Sequence, residues 1–396
     1  MARIVVAMSG GVDSSVAAAL LKEQGHEVIG IMLRLWSEPG VIEDEDDGIE
    51  RVAQNKCCSL ESVDDARRVA RMLDMPFYLV NVEEEFKEKI VDAFYEDYVE
   101  GRTPNPCLNC NRHIRFTVLL NRALALNADY LATGHYVRVD DHPMTGLRRL
   151  RRAVDPDKDQ SYVLHVLNQH QLSHACFPLG AYTKTEVRAM AAERGMTVAT
   201  KAESQEICFV AQNDYRGFID RYASARLEEE AQLPVAVGAG VAPQRSAGPS
   251  LITIPKPGPI YDQQGNALGR HRGLAYYTIG QRKGLGITSR DPLHVLKIDA
   301  SRNALVVGPA KALEQSEFLV GNMHYLSGIT PTQPFEALVR VRYKAVEQPA
   351  LVTPIEGDRV RVTLLHPQRA ITPGQAAVFY GGEDDAEVLC GGIIVE

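Results

Sequence analysis

Over roughly the first two hundred residues, short apolar runs alternate with amphipathic stretches, the pattern of a parallel sheet with helices on both faces. Ile4–Met8 reads as a buried strand, Ser14–Gln24 as a helix stopped by Gly25, and Val28–Leu33 as the next strand. Glu43–Asp47 reads as an acidic, mobile loop. Asp64–Leu73 predicts a helix, Phe77–Val82 a strand, Glu84–Val99 and Ile114–Leu126 two more helices, and Tyr130–Thr133 a strand ending at Gly134–His135. After about Tyr222 the pattern changes. Leu227–Gln232 is charged, and Pro234–Pro249 is rich in Ala, Gly and Pro with no periodicity, as in a linker or insertion. From Ile260 onward short strands alternate with turn signals: His294–Asp299, Ala304–Val307, Val339–Tyr343, Arg359–Leu364, Ala376–Tyr380 and Val388–Val395. That spacing suits a small barrel or a pair of barrels. The expected organisation is an α/β domain over residues 1–212, a small central β domain over 213–288 with a flexible insertion near 228–252, and an all-β barrel over 289–396.

Composition narrows the function classes. A chain of 396 residues exceeds one typical domain, and its net charge of −8 means that any binding to nucleic acid must come from local basic patches. The amino terminus meets Ser9-Gly10-Gly11 before an apolar signal-peptide core can form, and no stretch approaches a membrane span. Seven cysteines, an odd number spread over a long chain, argue against a secreted disulfide framework and for a cytoplasmic, reducing environment.

The first candidate for chemistry is Ser9-Gly10-Gly11-Val12-Asp13-Ser14-Ser15, between a predicted strand and a predicted helix, where amides and the helix dipole converge on a negative group. Gly10 and Gly11 permit close backbone approach, the serines add hydroxyl donors, and Asp13 is a candidate to hold Mg2+ beside phosphates. The loop lacks the lysine of a Walker A sequence and is not Gly-x-Gly-x-x-Gly. It resembles the PP-loop of the ATP pyrophosphatase superfamily, whose members cleave ATP between the α and β phosphates and transfer AMP to a carbonyl or carboxyl oxygen.

The second candidate is a pair of thiols, Cys107 and Cys110, at C-x-x-C spacing ahead of the Ile114 helix, with Arg112 and His113 beside them. About a hundred residues on, Cys208 supplies a third thiol among apolar neighbours. A zinc site would need a fourth ligand from Cys57, Cys58 or a histidine. A nucleophile with a sulfur-carrying partner needs two thiols, and an iron–sulfur cluster can use three with one iron open. Cys176 and Cys390 read as structural.

Taken with these sites, the chain resembles the bacterial tRNA-specific 2-thiouridylase family along nearly its whole length. The resemblance is carried by the PP-loop and by Gly101-Arg102-Thr103-Pro104-Asn105-Pro106, Ala132-Thr133-Gly134-His135-Tyr136, Asp157-Lys158-Asp159-Gln160-Ser161-Tyr162, Ile207-Cys208-Phe209, Gly280–Gly286 and Thr372-Pro373-Gly374-Gln375. It implies an ATP-dependent enzyme that adenylates the C2 oxygen of the wobble uridine of tRNA. Cys208 matches the cysteine that receives sulfur as a persulfide from a relay protein or cysteine desulfurase, and Cys110 its catalytic partner. Ala7, Met8, Ser9, Gly10, Gly11, Val12, Asp13, Ser14, Leu33 and Gly134 should line the ATP site. Asn105, Pro106, Cys107, His135, Lys158, Asp159, Gln160, Arg342, Tyr343 and Gln375 match tRNA-contacting positions. Many members carry Asp where this chain has Cys107. Cys107, Cys110 and Cys208 together are what a [4Fe–4S] cluster with an open iron would require, so that route stands as the alternative to the persulfide.

Two basic features fit a tRNA partner. Leu147–Arg152 packs four arginines into six residues, as a phosphate-binding or plainly solvated loop. Strand alternation would put Arg340, Arg342 and Lys344 on one face and Val339, Val341 and Tyr343 on the other. The competing functions are a small-molecule PP-loop ligase, which needs no paired thiols, and a tRNA-binding module, which needs no PP-loop.

Overall fold

The structure, a computed structural model, describes residues 1–38, 42–44, 50–52, 59–203, 207–232, 255–382 and 384–395. Cys57–Cys58, Pro234–Pro249 and the part of the acidic loop beyond Asp44 lie outside them; Ile42–Asp44 pairs with Glu50–Val52 in a short antiparallel ribbon. The chain separates into two compact units. One comprises Met1–Phe94, Pro104–Ala211 and Glu314–Glu396, the other Tyr95–Thr103 and Gln212–Leu313.

The first unit contains a parallel sheet whose strands β1 (Arg3–Met8), β2 (Glu27–Arg34), β3 (Phe77–Asn81) and β4 (Tyr130–Ala132) run in the order β3-β2-β1-β4. Alternation along β1 decides what covers each face. Ile4, Val6 and Met8 pack with helices α1 (Val12–Glu23) and α2 (Leu60–Met72), while Val5 turns to the other face, against Phe116, Leu119 and Leu120. Those three belong to a helical segment that starts at Pro106, a residue suited to a first turn because it has no amide to leave unpaired. The helix therefore begins before the expected Ile114, and Cys110–Leu119 within it is wound as π-helix. A second π-helical stretch, Lys87–Asp92, interrupts the Glu83–Val99 segment.

After β4 the chain makes a hairpin, β5 (Val137–Asp141) with β6 (Arg148–Arg152), which does not join the parallel sheet. Strand β7 (Ala175–Cys176) then completes the parallel sheet beside β4, and α3 (Lys184–Glu193) packs on the α1 face.

The other unit holds a four-stranded sheet of β8 (Gly258–Tyr261), β9 (Ala267–His271), β10 (His294–Asp299) and β11 (Ala304–Gly308), in the order β9-β8-β11-β10. This corrects the expected start of the last domain at 289. Ile260 and Tyr261 pair with Leu305 and Val306, so β10 and β11 belong to the central sheet. The charged Leu227–Gln232 stretch ends an 18-residue helix, Tyr215–Gln232, and is not a linker.

The barrel consists of β12 (Glu314–Tyr325), β13 (Phe335–Arg340), β14 (Gln348–Ile355), β15 (Arg359–Arg369), β16 (Ala376–Gly381) and β17 (Glu387–Ile394). Antiparallel pairing runs β12-β15-β14-β13-β16-β17 and closes between β17 and β12, which leaves no free edge within the ring. Val360, Val362 and Leu364 alternate inward along β15, with Arg359, Arg361 and Thr363 outward.

The β5–β6 hairpin is continuous with this barrel sheet through β17, with Arg151 opposite Glu387. Its arginines correct the expectation of a basic loop. They lie on a strand, where Arg148 pairs with Asp141 at 2.9 Å, Arg149 with Asp140 at 2.7 Å, Arg151 with Asp140 at 3.3 Å and with Asp384, and Arg152 with Glu347 at 2.5 Å. Arg340 is likewise committed, to Glu347 and to Asp159 at 3.3 Å. Strand β13 ends at Arg340, so Arg342, Tyr343 and Lys344 sit exposed on the connection to β14 and not on an alternating face.

Beneath this connection Arg152 stacks 3.8 Å over the Tyr380 ring, and Ser161 Oγ lies 3.2 Å from the Tyr380 hydroxyl. The Tyr162 hydroxyl donates to Ala376 O at 2.9 Å. Asp159, buried, accepts from the amides of Ala153 and Ser161 at 3.2 Å each and from Ser161 Oγ at 2.7 Å. Removing this carboxylate leaves two amides and the Ser161 hydroxyl without their acceptor and takes away one of the two carboxylates that pair Arg340. Asp159→Ala is expected to cost about 3 kcal/mol of stability, a drop to be measured by urea denaturation, with Asp159→Asn recovering part of it through its amide oxygen.

Candidate active site

The carboxyl ends of β1, β2 and β4 open on one crevice, the usual ligand position in a parallel α/β sheet. Ala7 and Met8 end β1 opposite Ile31 and Met32, Leu33 follows in β2, and Thr133-Gly134-His135 leave β4. Ser9–Ser15 turns from β1 into α1. Gly10 takes φ +69°, and a Cβ there would stand 2.2 Å from Ser62 O, so only glycine fits. Gly11 is the cap residue of α1 and brings no side chain to the first-turn amides. Instead Ser14 Oγ accepts from the Ser9 amide at 3.1 Å, and Ser15 Oγ donates to Gly11 O at 2.8 Å. The loop is braced by its own hydroxyls while the amino end of a 12-residue helix faces the crevice, an arrangement suited to phosphate.

Gly134 closes the loop from the side: a Cβ on it would lie 2.8 Å from the Ser14 amide nitrogen and 2.9 Å from Asp13 Cβ.

Asp13 does not stand ready for a metal. Lys184 Nζ donates to its two oxygens at 2.7 and 2.8 Å, and the Tyr136 hydroxyl donates to Oδ1 at 2.7 Å. Burial and the Asp13 charge both push the Tyr136 phenol far up, so it remains a donor. With its charge matched by a buried ammonium, Asp13 does not fit the expected role of direct Mg2+ ligand. Lys184 and Tyr136 are the residues that sequence reasoning missed. Lys184 begins α3 inside a Thr183–Glu186 capping box, a signal of a helix start that says nothing about a partner 171 residues away.

Lys184 also lies 3.1 Å from Glu203, which in turn pairs with Lys158 at 2.6 Å. Burial by itself would raise the Glu203 carboxyl, but the hydrogen bonds from Lys158 and Lys184 prevail and hold it at about 2. A depressed folded-state value means that these pairs contribute fully above the unfolded pKa of about 4.3 and fade as pH falls toward 2.

His135 connects the crevice to the cysteine helix. It is buried, its Nδ1 lies 2.7 Å from Thr133 Oγ1, and its ring centroid is 6.4 Å from that of Phe116, in the π-helical stretch headed by Cys110. Burial first, and Arg115 second, push it down to about 3, so it is neutral at physiological pH. Cys110 is buried one turn beyond the exposed Cys107. Burial, then Arg112 and Lys89, lower His113, so of the two expected cationic neighbours only Arg112 carries charge.

The barrel reaches this helix. Gln375 Nε2 donates to Pro104 O at 3.3 Å, and the Tyr343 ring lies 6.1 Å from that of Tyr162. Partial burial, then Asp159 and Cys107, push the Tyr343 phenol up, and Asn105 hydrogen-bonds the Tyr162 hydroxyl. Asn105, Pro106, Cys107, Tyr343 and Gln375 therefore share one neighbourhood. Lys158, Asp159 and Gln160 face inward: Lys158 on Glu203, Asp159 under Arg340, and Gln160 Oε1 on the Tyr136 amide at 2.9 Å.

Cys208 is half-buried beside Phe209, whose ring packs edge-on against Phe86 at 5.8 Å and Phe94 at 5.2 Å. Glu83–Phe86 packs in turn on Cys110–Leu119. No disulfide joins the described cysteines, and among the described residues no three ligating side chains converge as a metal site. Burial pushes Cys176 up to about 11 and Cys390 further, as suits inert thiols.

Comparison with known proteins matches this arrangement part by part. Residues 2–212 match the model described as tRNA methyl transferase HUP domain, 251–309 the tRNA methyl transferase PRC-barrel domain, and 315–394 the aminomethyltransferase beta-barrel domain. The tRNA-specific 2-thiouridylase MnmA of Roseiflexus castenholzii is 46% identical, over 100% of this chain and 99% of its own. That of Chloroflexus aurantiacus is 46% identical over 100% and 98%, and MnmA 1 of Caldanaerobacter subterraneus 45% over 100% and 98%. The chain belongs to the tRNA-specific 2-thiouridylase family. Membership brings an ATP-using PP-loop domain, and among the described residues no helix is long and apolar enough to cross a membrane.

The glycines give the sharpest check of the expected ATP site. Gly10→Ala and Gly134→Ala should each weaken ATP binding by more than about tenfold in calorimetric titration, because each added methyl group meets backbone and not a flexible side chain.

Proposed function

We propose that this protein replaces the C2 oxygen of the wobble uridine of tRNA with sulfur, in an ATP-dependent reaction. The observation that carries the reading is the convergence, within one compact unit, of the Ser9–Ser15 loop, the Cys107–Cys110 helix and the barrel residues Tyr343 and Gln375. A phosphate-gripping loop with paired thiols suits adenylation followed by sulfur transfer, and a small-molecule ligase has no use for the thiols.

In this reading the loop amides and hydroxyls hold ATP while the uridine C2 oxygen attacks the α phosphorus, forming an O–AMP bond and releasing pyrophosphate. Cys208 carries the incoming sulfur as a persulfide, received from a relay protein or a cysteine desulfurase. Its terminal sulfur attacks C2, and AMP leaves. The Cys110 thiolate then attacks the Cys208 sulfur, which frees the thiocarbonyl sulfur and leaves a Cys110–Cys208 disulfide. A dithiol reductant returns both thiols. The two electrons that reduce the persulfide sulfur thus come from the cysteines and are restored by that dithiol. Mg2+ would accompany ATP and ease the build-up of charge on its phosphates; no step depends on a metal at Asp13.

Exposed Arg342 and Lys344 would meet phosphates near the anticodon, and the target base would be flipped toward Cys107 and Asn105. Neutral, buried His135 would keep its side of the pocket closed to water.

Nucleoside analysis of bulk tRNA from cells lacking the protein tests the reading: 2-thiouridine derivatives should disappear, and their persistence at normal levels would overturn it. Cys110→Ala and Cys208→Ala should each lower 2-thiouridine formation by about a thousandfold or more while leaving tRNA-dependent pyrophosphate release measurable.

A further inference from the structure

The negative charge of Asp13 stands where a phosphate loop should least tolerate one. Asp13 lies in the first turn of α1, so its carboxylate and a bound phosphate would compete for the same positive helix end. A third of the Asp13 side chain stays exposed, whereas only a tenth of the Lys184 side chain does. Lys184 Nζ reaches both carboxylate oxygens, at 2.7 and 2.8 Å, and the Tyr136 hydroxyl holds Oδ1 at 2.7 Å. Lys184 is itself fixed at both ends: its amide donates to Asp155 Oδ2 at 2.9 Å, and its ammonium also lies 3.1 Å from Glu203. The two acids on this ammonium differ in what else they hold. Glu203 pairs in addition with Lys158 at 2.6 Å and with Arg188 at 3.8 Å, while Lys184 is the one cation paired with Asp13 among the described residues. Without Lys184, Glu203 keeps counter-charges and Asp13 has none.

We propose that Lys184 is a positioning residue for the nucleotide: by holding Asp13 as a neutral pair, it leaves the Ser9–Ser15 loop open to the phosphates of ATP. The inference rests on the reading that ATP occupies this loop, and adds the reason that an acid there does not repel it. A Walker-type lysine would sit inside the loop; here an ammonium from α3, 171 residues away, supplies the compensating charge. The loop amides and hydroxyls then act on phosphate without an opposing carboxylate, and Mg2+ needs no ligand from Asp13. Repulsion between a bare carboxylate and a phosphate is weakly screened at a partly buried site, so the loss of Lys184 falls on ATP affinity. Removing both members of the pair takes away the repulsion together with its remedy. Asparagine at position 13 would still offer the Tyr136 hydroxyl an acceptor.

The test is calorimetric titration of the full-length protein with a non-hydrolysable ATP analogue and Mg2+, on the wild type, Lys184→Met, Asp13→Asn and the double variant. Lys184→Met should weaken binding by about thirtyfold, and Asp13→Asn should stay within about threefold of the wild type. The double variant should recover to within about fivefold. Recovery on deleting a second charge is a result that lost packing alone does not produce. A double variant as weak as Lys184→Met overturns the inference, since Lys184 would then grip phosphate directly, and so does a Lys184→Met protein that binds like the wild type. A loss of more than about tenfold in Asp13→Asn, with a matching rise in the Mg2+ concentration for half-maximal binding, also overturns it and marks Asp13 as a metal ligand. Should Lys184→Met alone fail to fold for want of its half of the pair, the double variant must still fold and bind within about fivefold, and its failure to do either overturns the inference. A wild-type protein that binds no analogue overturns the reading of the loop as an ATP site, and with it the inference built on that reading.

Discussion

Four consecutive residues after the fourth strand of the parallel sheet tie the molecule's parts together. Gly134 fits against the Ser14 amide, His135 packs on the helix that Cys110 heads, Tyr136 donates to Asp13, and Val137 starts the hairpin that continues into the barrel sheet. Such a run leaves little freedom, because a shift at any one of the four would move the others. The barrel, though it begins at Glu314, is placed relative to the phosphate loop by a strand that begins three residues after Gly134.

The electrostatics follow from that join. A dense arginine run in an acidic protein invites the thought of tRNA, yet Arg148, Arg149, Arg151, Arg152 and Arg340 all find carboxylates within the fold. Partly buried guanidinium groups left unpaired would be costly, so the acids of the hairpin and barrel are there to match them. Arg342 and Lys344, on the connection after β13, are among the cations that face solvent.

Much of this was legible in the chain. Short apolar runs bounded by turn signals located the parallel strands, and the Ser9–Ser15 turn falls between strand and helix as expected. The boundary between the last two domains was misplaced because β10 and β11 look like any other short strands; only their pairing with β8 shows where they belong. The Arg340–Lys344 alternation failed for a related reason. Period two holds only while the strand continues, and nothing local said that β13 stops at Arg340. Lys184 and Glu203 were invisible because an ion pair between distant residues leaves no mark on the neighbours of either.

Burial also divides the labour between the thiols. Cys107 is exposed near Tyr343, at the side where a flipped base would arrive, and Cys110 is buried behind it in the same helix. Seclusion shields a thiol from solvent oxidants and stray disulfides while disfavouring its thiolate. An exposed thiol at the mouth has no such protection. In the thiolation reading, that asymmetry suits Cys110 to the step in which sulfur is released and Cys107 to the side where the base would arrive.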